Sequence, residues 1–226
     1  MLRATCYVLR DYMEYPTYNL EKKLIKQGYK NIVGIDEVGR GALAGPIVAV
    51  ATIIFNFPNL PSGRQLTNSK QIRDSKLLSE KQREKIFNEI SNKVIWSIGI
   101  ASHKEIDKIG ITRANILAIK RAINKLETNP NYLLLDRVSG FTHRLPFESI
   151  IKGDNKVLSI SIASILAKVT RDRIMRKLHQ KYPVYHFYQH KGYGTALHLK
   201  CLKEFGICKI HRQSYEPVKK ILNSKD

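Results

Sequence analysis

Residues 32–54 read Ile32-Val-Gly-Ile-Asp36-Glu37-Val-Gly39-Arg40-Gly41-Ala-Leu-Ala-Gly45-Pro46-Ile-Val-Ala-Val-Ala-Thr-Ile-Ile54. Two apolar, strand-like runs flank a glycine-rich turn, and adjacent carboxylates close the first run. Strand interiors exclude acids, so a pair of them where a strand meets a glycine turn points to a cation or a proton transfer at a sheet edge. The plainer reading is turn closure, the usual role of acids beside glycine. A phosphate-binding P-loop is excluded: Arg40-Gly41 stands where Lys-Ser/Thr is required, and two carboxylates inside the cradle would repel phosphate. Gly39, Gly41 and Gly45 also miss the dinucleotide spacing, so a nucleotide cofactor is not expected. The apolar stretch 42–57, broken by Gly45 and Pro46, is too short for a bilayer span of about 20 residues and reads as a buried strand.

Working outward, residues 18–28 read as a short amphipathic helix stopped by Gly28, with a strand over 31–36 behind it. The run 47–55 is apolar throughout, the mark of a strand covered on both faces. Residues 56–76, rich in Pro, Asn, Ser and Lys, form the longest loop. Ser79-Glu-Lys-Gln82 is a capping box opening a helix that turns Ile86, Phe87 and Ile90 inward. Val94, Trp96, Ile98 and Ile100 alternate as a half-buried strand, whereas Ile116, Ile119, Ile123 and Leu126 step at helical spacing after Thr112. Tyr132-Leu-Leu-Leu-Asp136 is a further apolar strand closed by an acid. The sum is a mixed α/β sheet flanked by helices.

The chain has 226 residues, enough for one large domain or one domain with a small appendage. We divide it into an N-terminal extension over 1–16, whose order the sequence does not fix, a catalytic domain over 17–180 and a small helical C-terminal segment over 181–226. Lys plus Arg number 39 against 19 Asp plus Glu, a net charge of +20, which calls for a polyanionic partner, most commonly nucleic acid. Residues 155–226 hold 15 basic and 4 acidic residues, so the C-terminal third is expected to carry much of that footprint. Cys6, Cys201 and Cys208 form neither a C-x-x-C pair nor an even set, and read as reduced structural thiols. The N-terminus has no apolar core of signal-peptide length, so the expectation is the cytoplasm and no membrane.

If the strands ending at Asp36 and Asp136 are parallel neighbours, their acids meet at one sheet edge. Asp154, in Lys152-Gly153-Asp154, precedes a long helix with Val157, Leu158, Ile165, Leu166, Val169 and Ile174 on its apolar side; by itself it reads as the helix N-cap. Hard carboxylates without a Cys or His pattern suit Mg²⁺ or Mn²⁺, and with a nucleic-acid partner such a cluster suits phosphodiester hydrolysis. Neighbouring strand residues point to opposite faces, so Asp36 and Glu37 need a break in strand geometry to act together. The turn Val38-Gly39-Arg40-Gly41 is expected to supply it.

Six ordered stretches carry a specific resemblance: Gly34 to Pro46, Asp74-Ser75-Lys76-Leu77-Leu78, Lys152-Gly153-Asp154, Ala163 to Arg173, His190 to Thr195 and Ile210 to Pro217. Together they resemble ribonuclease HII, the type 2 ribonuclease H family, over roughly residues 30 to 220. The resemblance implies an RNase H-like sheet with a small helical C-terminal segment. It also implies a metal-dependent endonuclease that cuts the RNA of RNA/DNA hybrids and single ribonucleotides in duplex DNA, leaving 5′-phosphate and 3′-hydroxyl ends. By resemblance the metal ligands are Asp36, Glu37, Asp136 and Asp154, holding two Mg²⁺ or Mn²⁺ ions. Gly39, Arg40 and Gly41 would read the ribose 2′-hydroxyl and Tyr193 the junction with the next sugar, while Ser75, Lys76, Ser164 and Lys168 would contact substrate. The family usually has glycine after the third acid, where this chain has Arg137. No clamp-binding tail is evident in Ile221-Leu-Asn-Ser-Lys-Asp226, so no sliding-clamp partner is expected by that route, and a monomer is expected.

Other features divide between function and packing. Ser164 and Lys168 share a helix face, where a lone lysine is ordinarily solvated. Tyr182, Tyr185, Phe187, Tyr188 and Tyr193 suit nucleic-acid sugars and bases, or equally the core of a small subdomain. His186 and His190 have zinc-like spacing but no third ligand. Two alternatives stay open: a basic RNA- or DNA-binding protein without catalysis, and an RNase H-like resolvase. Clustered acids argue against the first, since they repel the backbone a pure binder must hold.

Overall fold

The computed structural model of the protein describes residues 15–54 and 78–223. Most of the expected N-terminal extension, the loop 56–76 with Ser75 and Lys76, and Cys6 lie outside the described residues. In chain order, α1 (Asn19–Lys26) leads into β1 (Ile32–Val38), which returns through the glycine turn as β2 (Ile47–Ile53). Next come α2 (Glu80–Ile90), β3 (Ile95–Ala101), α3 (His103–Ile109), α4 (Ile111–Asn124), β4 (Tyr132–Asp136) and β5 (Phe147–Ile150). The short α5 (Gly153–Lys156), the long α6 (Leu158–Lys181), α7 (Phe187–His190), α8 (Ala196–Phe205) and α9 (Glu216–Asn223) complete the order.

The strands form one five-stranded sheet in the order β3-β2-β1-β4-β5. β1, β2 and β3 pair antiparallel, whereas β4 runs parallel to β1 and β5 parallel to β4. This is the mixed α/β sheet the sequence predicts. Every residue of β2 is buried, as its unbroken apolar run requires. Ala49 and Ala51 face the core with α4, and Val50 faces the core with α2 and α6. Burying one Val, Ile or Leu side chain stabilises on the order of 1.5–3 kcal/mol, so this central strand anchors both layers.

β3 departs from expectation. Its large residues Trp96 and Ile98 are only half-buried and Ile100 is 39% exposed, while Ser97, Gly99 and Ala101 form the deeply covered face. Here α4 lies at backbone-contact distance: a Cβ on Gly99 would sit 1.8 Å from the Ala118 carbonyl oxygen. Ser97 Oγ donates to the Ala122 carbonyl at 2.5 Å. Small residues mark the inner face because only they let a helix approach so closely.

The capping box forms as read, with Ser79 accepting from the Gln82 amide and Gln82 accepting from the Ser79 amide. Residues 158–167 of α6 are buried on all sides, between the sheet and α2, rather than along one stripe. Beyond α6, Tyr185, Phe187, Leu202 and Val218 build a separate small core with Leu43, Ala44 and Met175. Two aromatics of the tyrosine-rich run, Tyr185 and Phe187, are thus packing residues; Tyr188 is exposed. Cys201 and Cys208 are free thiols. Among the described residues no helix is long and apolar enough to cross a membrane.

Candidate active site

Three parallel strands, β1, β4 and β5, run to one sheet edge, and acids stand there from β1, from β4 and from the α5 turn that follows β5. Ile35 pairs with Leu135, which puts Asp36 beside Asp136, and Asp136 in turn pairs with Ile150 at the end of β5. Four residues on, Asp154 is buried in α5. The Gly153 amide donates to Asp136 Oδ1 at 2.8 Å, which ties that turn to the strand-end acid. Asp154 is not the N-cap of α6; that position is Val157, which gives no side-chain cap, because α5 ends one residue before α6 begins.

The expected break between Asp36 and Glu37 does not occur there. β1 stays regular to Val38, with Asp36 opposite Val50 and Glu37 opposite Ala49, because pairing to the apolar β2 holds both positions in the ladder. The two acids therefore lie on opposite faces. Asp36 takes a hydrogen bond from Ser164 of α6, whereas Glu37 takes one from Asn115 of α4. Burial, then the neighbouring Glu37 charge, pushes the Asp36 carboxyl well above its usual range; the Ser164 hydroxyl opposes this and Asp136 adds to it. Burial also lifts Glu37 to about 7, against the pull of the Arg40 guanidinium, whose Nη1 lies 3.6 Å from Oε1. Among the described residues no three acid, histidine or cysteine side chains are gathered tightly enough to hold an ion; the acids stand around the edge rather than closing on a point.

Beside the acids lies the glycine turn. Gly39 has φ +97°, and a Cβ there would lie 2.2 Å from Arg171 Nε, so this position needs glycine twice over. Arg171 is fully buried, and its guanidinium donates to the carbonyls of Pro46 at 3.0 Å, Lys191 at 2.9 Å and Ala44 at 3.2 Å. Burial holds its pKa down to about 10. Arg212, also fully buried, donates to Gly45 O at 3.0 Å and to Arg40 O at 2.9 Å, and the Tyr215 hydroxyl donates to Arg40 O as well. Tyr193 bridges Ala42, and its ring packs 5.2 Å from the Arg171 guanidinium carbon. Asn115, Arg171 and Arg212 were missed by sequence reasoning. An Asn or Arg on a helix or loop carries no periodic signal, and only the fold brings the carbonyls to them.

Lys168 Nζ donates to Asp172 Oδ1 at 2.7 Å; burial lowers its pKa while Asp172 opposes that. Ser164 faces Asp36. Much of the basic surplus of this third is likewise engaged: Arg173 and Arg176 of α6 pair with Glu84, and Lys191, just after α7, pairs with Glu80. The exposed cations of this third are lysines such as Lys177, Lys200, Lys203 and Lys209. Arg137 is exposed beside Asp136.

The family model described as ribonuclease HII matches residues 33–218. The chain is 47% identical over 208 residues to ribonuclease HII of Acetivibrio thermocellus, covering 92% of this chain and 77% of that one. It is 44% identical over 199 residues to ribonuclease HII of Caldicellulosiruptor saccharolyticus, covering 88% and 93%. Among solved structures it is similar to ribonuclease H2 from Pyrococcus horikoshii, with TM-score 0.71, 27% identity and coverage of 86% of this chain and 98% of that one.

Proposed function

Because the chain belongs to the ribonuclease HII family, and so is an endoribonuclease of the ribonuclease H type, we propose that it uses divalent metal to cut RNA/DNA hybrids and single ribonucleotides embedded in duplex DNA. Its products carry 5′-phosphate and 3′-hydroxyl ends, and its work is ribonucleotide excision and primer removal. The observation that carries the metal reading is the pair of buried Asp36 and half-buried Glu37, each pushed up by desolvation and by the Asp136 charge. A fold gains nothing from carboxylates it holds away from water and near one another; a hard cation would repay them.

Asp36, Glu37, Asp136 and Asp154 are the residues that would hold Mg²⁺ or Mn²⁺, since carboxylate oxygens suit both ions. When bound, a pair of such ions activates the attacking water and stabilises the leaving oxygen. Ser164 and Asn115 orient the two β1 carboxylates from opposite faces of the sheet. Gly39, Arg40 and Gly41 present main chain to the ribose, and the space beside the Gly41 Cα is open. Arg212 and Tyr215 hold that loop from within through the Arg40 carbonyl. Tyr193 packs against the next deoxyribose, where an extra hydroxyl would clash or go unsatisfied. Lys168 keeps two ammonium hydrogens beyond its Asp172 bond for a phosphate.

The test is a duplex holding one ribonucleotide, incubated with and without Mg²⁺ or Mn²⁺, with the cut mapped. Cleavage is expected only with metal. Asp136→Asn should bind the duplex at least as tightly as wild type and fail to cut it, since one charge repelling phosphate is gone. Near wild-type cutting by that variant in saturating Mg²⁺ removes Asp136 from the site.

A further inference from the structure

The two sugar contacts assigned above come from distant segments, residues 39–41 and residue 193, and three short strands of loop join them. The Leu43 amide donates to Gly192 O at 2.8 Å, the Gly45 amide to Ile210 O at 3.0 Å, and the Arg212 amide to Leu43 O at 2.8 Å. Behind this junction runs a buried chain of histidines. His198 and His211 are 0% and 1% exposed, with their Nε2 atoms 3.0 Å apart.

One proton arrangement satisfies this chain with both rings neutral. His198 Nδ1 lies 3.0 Å from the Tyr193 carbonyl oxygen, which can only accept, so Nδ1 carries the hydrogen. His198 Nε2 is then a lone pair, and His211 Nε2–H must donate to it. That leaves His211 Nδ1 as an acceptor, and the Cys208 amide donates to it at 2.8 Å, closer than the Cys208 carbonyl at 3.3 Å. His190 stacks on His198 with ring centroids 4.4 Å apart. It is fixed in the same manner: its Nε2–H donates to Tyr185 O at 2.7 Å, and its Nδ1 accepts from the Gly192 amide at 3.2 Å. Burial holds His198 and His211 down to about 4, which keeps both neutral in the neutral pH range.

We propose that His198 and His211 are positioning residues that clasp the Tyr193 main chain to the segment holding the Arg40 loop, and so set the preference for a ribonucleotide followed by a deoxyribonucleotide. The chain of contacts is continuous: His198 holds the Tyr193 carbonyl, His211 holds His198, and Arg212, the next residue, holds the Arg40 carbonyl. The proposal rests on the reading of Tyr193 as the junction contact.

Two measurements test it independently. In long-range ¹⁵N–¹H spectra of the full chain at neutral pH, His198 should show the Nδ1–H tautomer and His211 the Nε2–H tautomer; the reverse in either ring overturns the clasp. In cleavage assays, His211→Asn keeps an acceptor near Nδ1 but cannot reach His198. It should lower the ratio of kcat/KM on a single embedded ribonucleotide to that on a continuous hybrid by about tenfold, the scale of one buried hydrogen bond. His211→Gln, whose amide N–H reaches the place of the lost Nε2, should restore most of the ratio. An unchanged ratio in the folded Asn variant, or no rescue by Gln, overturns the proposal. A wild-type protein that cuts hybrids but not single ribonucleotides instead refutes the junction reading of Tyr193, and the tautomers still decide the clasp. Should both variants fail to fold, the wild-type spectra decide it alone.

Discussion

Glu37→Gln should make the metal-free protein more stable while it destroys cleavage. In the folded chain the Glu37 carboxyl titrates at about 7 against 4.5 for the free group, with burial as the main cause. The sign follows from proton binding: between pH 4.5 and 7 the native state keeps a proton that the unfolded chain has lost. Stability therefore falls as pH rises through that window and is level above it. At about 1.4 kcal/mol per pKa unit, the ionised carboxylate costs the fold about 3 kcal/mol at pH 8. The amide is isosteric with the protonated acid and carries no such cost, and it also relieves Asp36, whose own ionisation Glu37 opposes. A chain of this size gains about 2–4 °C in Tm per kcal/mol, so thermal melts in excess EDTA at pH 8 should show the variant roughly 6–12 °C above wild type. At pH 5 the gap should shrink to under about 1 kcal/mol. Added Mg²⁺ should raise the wild-type Tm more than that of the variant. A variant no more stable than wild type at pH 8, or a gap that does not narrow at pH 5, would refute the view that this acid is held at the expense of the fold.

Gly99→Ala should destabilise by about 1–3 kcal/mol in urea titrations, since the new methyl must push α4 off the sheet; a change within error would mean that α4 is not so close. Tyr193→Ala should lose more activity on a single embedded ribonucleotide than on a continuous hybrid, with the melt unchanged, and equal losses would reduce Tyr193 to general contact or packing. Metal-free binding to hybrid duplex should weaken steeply with salt, each phosphate contact adding about 0.9 to the log–log slope. A flat response would place the exposed lysines of the C-terminal third away from the substrate.

What could be read from the sequence follows from where periodicity exists. The strands bearing Asp36 and Asp136 announced themselves because each holds an apolar run stopped by an acid, and the sheet makes them parallel neighbours. β5 did not, because Phe147-Glu-Ser-Ile150 is an edge strand with exposed residues and no alternation. The face of β3 was assigned to its bulky residues, whereas close helix packing selected the small ones. Ser164 read as a phosphate contact, yet its hydroxyl faces Asp36, which only the docking of α6 on β1 reveals. The buried arginines were illegible for a related reason: their partners are main-chain carbonyls, which every residue has and no sequence marks.

The bond from Arg212 to the Gly45 carbonyl joins residues 167 positions apart. On the ribosome, β1, β2 and the turn between them emerge long before Arg212 does. Until it arrives, the Arg40 and Gly45 carbonyls lack their guanidinium, and the turn is held only by the β1–β2 pairing and, once made, by Arg171. Contacts of such range also form slowly, because the loop they close must be ordered first. A partly synthesised chain therefore carries its first two acids beside an unfinished turn. Nuclease competence that depends on this turn would arrive with the last elements of the fold, leaving the nascent enzyme latent while it is being made.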